Sequence, residues 1–181
     1  MNRKTIDKLH TAAGFIVMLV FIAGGGLALW GQHFANSQVS SQLVQEKIFF
    51  PKAGDPAINP EEYPGLQKYA GTQVDNGDKA KAYADEFIWV HMMKASGGKT
   101  YAEVSTLANA NKSDAKLAAL KNTLFQGDML RSSLLTAYAF SRFGLVAQWA
   151  AVACFVGAGV MLILVLLGLW HMNRGTSKSR R

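Results

Sequence analysis

The chain contains two long stretches without a formal charge. Residues 11–30 form an apolar run of 20 residues, and residues 143–170 form a second run of 28 residues. At about 1.5 Å per helical residue, each run is long enough to cross the roughly 30 Å hydrocarbon core of a bilayer. Core helices of soluble proteins rarely stay apolar on every face over this length. The pattern therefore predicts two transmembrane helices.

The segment between the runs, residues 31–142, begins with a polar helix and a long loop. Ala35, Val39 and Leu43 recur at helical spacing, so the first helix is expected to continue to about residue 47. The short apolar run that follows is predicted to be a strand or an extended plug against a neighbour. Residues 51–77 hold all four prolines of the chain and are predicted to be a loop. A loop of this length is functional or lies on another surface.

Helix start and stop signals divide the rest of this segment into short helices. The first helix is expected over residues 79–95, ending at Gly97 and Gly98. Glu103, three residues after a threonine, completes a capping-box pattern. Gly127 is expected to end the third helix, and the fourth continues into the second apolar run. The predicted N-caps of these four helices are Asp78, Thr100, Ser113 and Asp128. The predicted fold class is an α-helical membrane protein whose two spans flank a small, mostly α domain.

The distribution of charge predicts the orientation. The terminal tails, residues 1–10 and 171–181, contribute six of the seven formal net positive charges, whereas residues 31–142 are close to neutral. Short segments rich in Lys and Arg stay in the cytoplasm, so both termini are expected inside the plasma membrane and the central domain outside. Such short tails exclude a cytoplasmic kinase or DNA-binding domain. Their expected partner is anionic lipid rather than nucleic acid. The first run is longer than a signal-peptide core, which favours an uncleaved anchor.

Several strings of the central segment resemble one protein family. The strings are Gln42-Leu43 with Glu46-Lys47-Ile48, Tyr69-Ala70-Gly71 with Gln73-Val74-Asp75, His91, Gly97-Gly98-Lys99-Thr100-Tyr101-Ala102-Glu103, and Leu130-Arg131-Ser132-Ser133-Leu134. Together they resemble a family of small two-span membrane proteins of actinobacteria, often labelled automatically as "aromatic ring-opening dioxygenase, LigA". The resemblance covers roughly residues 39–165, and the loop at 51–68 departs from the family pattern. It implies a Gram-positive cell envelope. Because the family has no assigned biochemical function, the resemblance assigns no catalytic residue to this chain.

The dioxygenase label does not fit the residues of the chain. A ring-opening extradiol enzyme needs Fe(II) with open positions, held typically by two histidines and a carboxylate. Of the four histidines, His10 and His171 lie in the predicted cytoplasmic tails. His33, at the predicted membrane face, and His91 are the two that remain outside. No catalytic or cofactor-binding residue is therefore predicted.

The strongest candidate metal ligands are His91, Met92 and Met93. Imidazole and thioether together suit copper, and His33 or Met129 is placed in the sequence to complete a site. Against this, His91 lies on the apolar face of its helix, and paired methionines commonly fill gaps in a core. A structural histidine is the favoured interpretation, and a copper or zinc ligand is the alternative.

Seven residues are candidates for contact with a partner. Arg131 and Arg142 lie 11 residues apart, on one face of the last helix and just outside the expected bilayer. They are expected to reach lipid headgroups or to form salt bridges with a partner subunit. Small span residues allow helices to approach closely, either within the chain or between chains. The full set is Phe49, Phe50, Tyr63, Tyr69, Arg131, Arg142 and Gly157.

These features predict a non-enzymatic integral membrane protein. The favoured function is an accessory or assembly subunit of a larger cell-envelope complex, with a respiratory complex as one host. The alternative is an extracytoplasmic metal- or small-ligand-binding module anchored by two helices. An enzyme of unknown type and a homo-oligomeric channel are further alternatives, although spans without ionisable residues disfavour an ion path. The expected partners are the lipid bilayer and other membrane-protein subunits or a second copy of the chain.

Overall fold

A computed structural model describes the backbone of residues 3–177 and the side chains of residues 5–172. The outermost parts of the two basic tails, residues 1–2 and 178–181, lie outside the described residues. Within the described range the chain is mostly helical and contains no strand. Its helices are α1 (Arg3–Glu46), α2 (Gly77–Ala82), a π-helical segment (Tyr83–Ile88), α3 (Trp89–Ser96), α4 (Tyr101–Ala110) and α5 (Ala115–Ser177).

Two of these helices, α1 and α5, are long and apolar enough to cross a membrane. In their most apolar windows, 11% of the residues of α1 and 17% of those of α5 are buried. A core helix of a soluble protein would instead be buried over most of such a window. Large apolar side chains such as Trp30 and Trp149 are about two-thirds exposed, at 66% and 67%. The mostly helical fold and the two long apolar helices are thus confirmed.

The chain forms two compact units. The two-helix unit consists of Met1–Phe34 together with Gly144–Arg181, and the central unit is Ala35–Phe143. α1 and α5 each contribute to both units, and α2, α3 and α4 belong to the central unit.

In the two-helix unit, glycines of one helix face large side chains of the other. A Cβ atom added to Gly25 would lie 2.9 Å from the ring of Phe155, and one added to Gly157 would lie 3.3 Å from the ring of Phe21. Small residues at such positions let helix backbones approach closely. Gly157, a candidate partner contact, therefore packs against α1 of its own chain.

The core of the central unit includes residues from the proline-rich loop. Ile58 and Leu66 are fully buried, and Tyr63 is 3% exposed. Ile58 lies in the short 3-10 helix Pro56–Ile58 and Leu66 in the 3-10 helix Pro64–Tyr69, which Tyr63 directly precedes. The loop thus packs on its own chain. The buried residues of the cluster are Val39, Leu43, Phe50, Ile58, Tyr63, Leu66, Val74, Ala80, Ala82, Ala84, Ile88, Met92, Val104, Leu124 and Leu134.

A short antiparallel pairing closes the base of the loop. The amide of Phe50 donates to the carbonyl of Thr72 at 2.9 Å, and the amide of Val74 donates to that of Ile48 at 2.9 Å. Phe49 and Gln73 form an isolated β-bridge between these bonds. The apolar run at 48–50 is therefore extended, and the neighbour that it pairs with is another segment of the same chain.

The capping box and the glycine stop are confirmed. The Thr100 hydroxyl accepts from the Glu103 amide, and the Glu103 carboxylate accepts from the Thr100 amide at the start of α4. Gly97 follows α3 in the left-handed region, with a φ of 64°. This conformation suits glycine because it has no Cβ.

Three other predictions about helix ends are wrong. The N-cap of α2 is Asn76, whose side chain accepts from the amide of Lys79 at 3.0 Å, so Asp78 lies in the first turn instead. The cap of α5 is Asp114 rather than Ser113, because the carboxylate of Asp114 accepts from the amide of Leu117 at 3.0 Å. The predicted break at Gly127, with Asp128 as a new cap, does not occur, because α5 is continuous through this region.

Candidate interaction surface

A groove of the central unit runs along one face of α5, between residues 128 and 143. It has a volume of about 560 Å³ and is open to the outside. Two rows of side chains, each with a spacing of four residues, border it, and such rows form the ridges of a helix surface. The first row is Asp128, Ser132, Thr136 and Phe140, and the second is Arg131, Leu135, Ala139 and Phe143.

Three large apolar side chains of this groove are strongly exposed. Met129 is 52% exposed, Phe140 is 57% exposed and Phe143 is 68% exposed. The rings of Phe140 and Phe143 form an edge-to-face pair with centroids 6.3 Å apart. Between the large side chains lie small ones, including Ser132 and Thr136. The face therefore combines exposed aromatic area with a shallow depression beside it.

One border of the groove is held in place by an ion cluster. The guanidinium of Arg131 donates to the carboxylate of Asp85 at 2.8 Å, and the Lys81 ammonium pairs with the same carboxylate. The guanidinium also lies over the ring of Trp89, 4.8 Å from its centroid. Burial raises the pKa of the Asp85 carboxyl, but hydrogen bonds from Lys81 and Arg131 outweigh it, so the pKa lies below its ordinary value. Arg131 is thus fixed against the π-helical segment.

The second predicted arginine also has partners within the central unit. Arg142 forms an ion pair with Asp78, and its guanidinium carbon lies 4.6 Å from the ring centroid of Tyr138. Lys81 approaches the same ring, with its ammonium 5.6 Å from the centroid. Among the described residues, the buried Nε–H groups of Arg131 and Arg142 have no hydrogen-bond acceptor. The two arginines thus connect α5 to the first turns of the helical segment that begins at Gly77.

The imidazole of His91 packs against two aromatic rings. Its ring stacks on Tyr63, with centroids 5.3 Å apart, and contacts the ring of Phe87 at 4.3 Å. Its Nδ1 lies 2.8 Å from the carbonyl oxygen of Phe87. A neutral imidazole that donates from Nδ1 keeps Nε2 as its acceptor. His91 is partly buried in this position.

The other candidate metal ligands lie in different surroundings. Met92 is 6% exposed, and its sulfur would lie 2.5 Å from a Cβ added to Gly127 of α5. Met93 is partly buried against the core. His33 is exposed and belongs to the two-helix unit, whereas the other three belong to the central unit. Within the described part of the chain, no three His, Cys, Asp or Glu side chains form a group that could hold a metal ion.

The aromatic candidates for partner contact divide into buried and exposed residues. Phe50 is 2% exposed and packs against the rings of Tyr69 and Tyr83, with centroids 5.3 Å and 5.1 Å away. Tyr63 is buried beneath His91. Tyr69 is partly buried, and Phe49 is 54% exposed. Of these four residues, Phe49 is the one that presents most of its ring to the outside.

The sequence interpretation identified Arg131 at the border of the groove but missed Ser132, Thr136 and Phe140. Their signal was present as a row of residues spaced by four. It was missed because Arg131 was treated as an isolated charge rather than as part of a helix face. Comparisons of the chain with protein-family models, with curated proteins and with solved structures find no match.

Proposed function

We propose that this protein is a non-enzymatic accessory or assembly subunit of a larger membrane-protein complex. In this proposal α1 and α5 cross the membrane, and the central unit receives a partner subunit on the α5 groove. The observation that carries the proposal is the groove itself, with its exposed Met129, Phe140 and Phe143. Exposed apolar patches bordered by polar residues commonly mark sites of protein contact.

The shape of the groove favours a helical partner. Ridges formed by residues spaced by four accept the ridges of a second helix in the depression between them. Ser132, Thr136 and Ala139 are small, which lets a second backbone come close. Aromatic and methionine side chains are enriched at protein interfaces. The ion pair of Arg131 with Asp85 holds the edge of the surface in a fixed shape, which lowers the entropic cost of binding.

The proposed orientation places both termini in the cytoplasm and the central unit outside. It is supported by the basic residues of the tails, which carry six of the seven net positive charges. The groove then lies on the outer side of the membrane.

Two adjacent serines provide the test. Ser132 lines the groove, whereas Ser133 is exposed on the same helix and is not among the residues that line it. The full chain is tagged and purified in a mild detergent as wild type, Ser132→Trp and Ser133→Trp, and the co-purifying subunits are quantified by mass spectrometry. We expect the wild type and Ser133→Trp to recover the same set of subunits. Ser132→Trp should lose at least nine-tenths of this set, because the indole fills the groove.

Two results would count against the proposal. Equal recovery by the two tryptophan variants would show that the groove is not the contact surface. A wild-type preparation that contains this chain alone, as a homo-oligomer, would favour a binding module or a channel instead. A photoreactive residue at Phe140, compared with one at Phe125 elsewhere on α5, identifies the partner directly by its cross-link.

A metal-binding module is the second candidate function, and one observation favours it. His91 Nδ1 lies 2.8 Å from the Phe87 carbonyl oxygen, and a neutral ring that donates there presents Nε2 as the acceptor. Metal-ligating histidines usually have such a partner on their second nitrogen. If this module is the function, His91→Ala should abolish copper or zinc uptake by the purified protein. Unchanged metal content in His91→Ala would eliminate this candidate.

A further inference from the structure

A second groove lies in the two-helix unit, between the first turns of α1 and the end of the described part of α5. Its volume is about 300 Å³. Lys8 and Thr11 are found at one end of the groove, and the other lining residues are apolar. The apolar residues used below are Ala12 and Phe15 from α1, and Val165 and Leu169 from α5.

The surface of the groove is apolar, and Lys8 lines one end of it with the methylene groups of its side chain. Lys8 and Phe15 are seven residues apart, which corresponds to about 10 Å along a helix. Lys8 is exposed, and it forms no ion pair with any residue that the structure describes. Residues 1–10 as a whole carry three basic residues and one acidic residue. The charged end therefore lies in a locally positive part of the sequence.

We propose that this groove binds an anionic phospholipid, with one acyl chain between α1 and α5 and the phosphate paired with the Lys8 ammonium. An acyl chain suits a lining of Ala12, Phe15, Val165 and Leu169, which offers it no hydrogen bond from a side chain. Basic pockets between membrane helices on the cytoplasmic side commonly bind anionic headgroups. The inference rests on the proposed function in one respect, since the two helices must lie in a bilayer.

The charge of Lys8 selects the class of lipid. A zwitterionic phosphocholine headgroup carries its own cation, which competes with the ammonium for the phosphate. A phosphatidylglycerol headgroup has no such cation, so its phosphate is free to pair with Lys8. Each basic residue near an anionic membrane surface contributes about 1 kcal/mol to the free energy of binding anionic lipid. This corresponds to about a fivefold preference for phosphatidylglycerol over phosphatidylcholine.

The test is native mass spectrometry of the full chain in mild detergent, with equal amounts of phosphatidylglycerol and phosphatidylcholine added. We expect the wild type to retain phosphatidylglycerol about fivefold more than phosphatidylcholine. Lys8→Gln should remove this preference, and Lys8→Arg should keep it because the charge remains. Lys112→Gln is the matched control, because Lys112 is an exposed lysine of the central unit.

A second variant tests the apolar part of the groove. Ala12→Phe places a ring among the lining residues and should reduce retention of both lipids, while circular dichroism shows that the helices are retained. Equal retention of the two lipids by the wild type, or an equal loss of preference in Lys8→Gln and Lys112→Gln, would overturn the inference. Release of the chain from membranes by alkaline carbonate would instead overturn the membrane placement. A chain that stays in the membrane without a lipid preference refutes the lipid site alone.

Discussion

The first turn of α2 approaches α5 so closely that position 77 has no room for a side chain. A Cβ atom added to Gly77 would lie 2.5 Å from the Cβ of Ser141 and 3.3 Å from the Cα of Tyr138, and it would overlap the Ser141 hydroxyl. Real Cβ atoms essentially never approach another carbon to 2.5 Å. We therefore expect Gly77→Ala to destabilise the central unit, although alanine is the better helix former.

The magnitude follows from two opposing effects. Overpacking a close contact costs about 1–3 kcal/mol. Replacing glycine by alanine inside a helix raises the free energy of unfolding by up to about 1 kcal/mol. The Cβ of Ser141 and the Cα of Tyr138 belong to or adjoin the backbone of α5, so side-chain rotation cannot relieve the contact. We expect a net loss of about 1–2 kcal/mol, which is about 4–8 °C in the melting temperature of a unit of this size.

Gly65 provides the matched control. A Cβ at Gly65 would also meet an atom at short distance, but that atom belongs to the carboxylate of Glu86. Glu86 is exposed and can rotate away. Gly65→Ala should therefore change the free energy of unfolding by less than about 0.5 kcal/mol. Both variants are measured by thermal unfolding of the full chain in mild detergent, with hydrogen exchange over residues 77–82 as a local readout.

Removing the opposing side chain should restore stability. Ser141→Gly alone costs about 0.5 kcal/mol, because glycine is a poorer helix former than serine. In the Gly77→Ala/Ser141→Gly double variant the 2.5 Å contact is gone, so the two changes should not add. We expect the double variant to recover at least half of the loss caused by Gly77→Ala. A Gly77→Ala variant as stable as the wild type, or strictly additive effects, would refute the reasoning.

Three further predictions concern the central unit. Gly127→Ala should lower the free energy of unfolding by about 1 kcal/mol, because its Cβ would meet the buried sulfur of Met92; an increase in thermal stability would mean that the glycine has no packing role. Asp85→Asn should cost about 1 kcal/mol at pH 7 by removing the ion pair with Arg131. Because the folded pKa of Asp85 is lowered, its contribution is present above the unfolded pKa of about 3.9 and is lost as the pH falls through the folded value. Unfolding measured between pH 2 and pH 7 should therefore converge for wild type and variant at the acid end, and parallel curves would contradict this assignment. Thr100→Ala should cost about 1 kcal/mol by removing the cap of α4, detected as faster hydrogen exchange in that helix; exchange at the wild-type rate would contradict it.

The features that were predictable from the sequence are those set by local residues. Absence of charge over a long run indicated both apolar helices, and Thr100 with Glu103 indicated the start of α4. Gly97 marked the end of α3. These signals depend on groups within a few residues of each other, so no knowledge of the fold was needed.

The features that were missed depend on residues far apart in the sequence. Gly127 has the form of a helix stop, but in the fold it gives room to Met92, 35 positions earlier in the numbering. Arg131 was recognised as a contact residue, but its acceptor Asp85 lies 46 residues away. Tertiary packing outweighed local preference at each of these positions.

The π-helical segment Tyr83–Ile88 allows this region to change its length without changing the direction of the residues that follow. The amide of Trp89 donates to the carbonyl of Ala84, so this turn encloses one more residue than a turn of α-helix. Deleting one residue within the segment would turn this contact into the hydrogen bond of a regular α-helix, and the residues from Trp89 onward would keep their directions. Met92 would then stay beside Gly127, and His91 would stay against the ring of Tyr63. The same deletion inside α4 would instead turn the rest of that helix by about 100°. A single-codon deletion is thus expected to disturb this fold less in the π-helical segment than in a regular helix of the same unit.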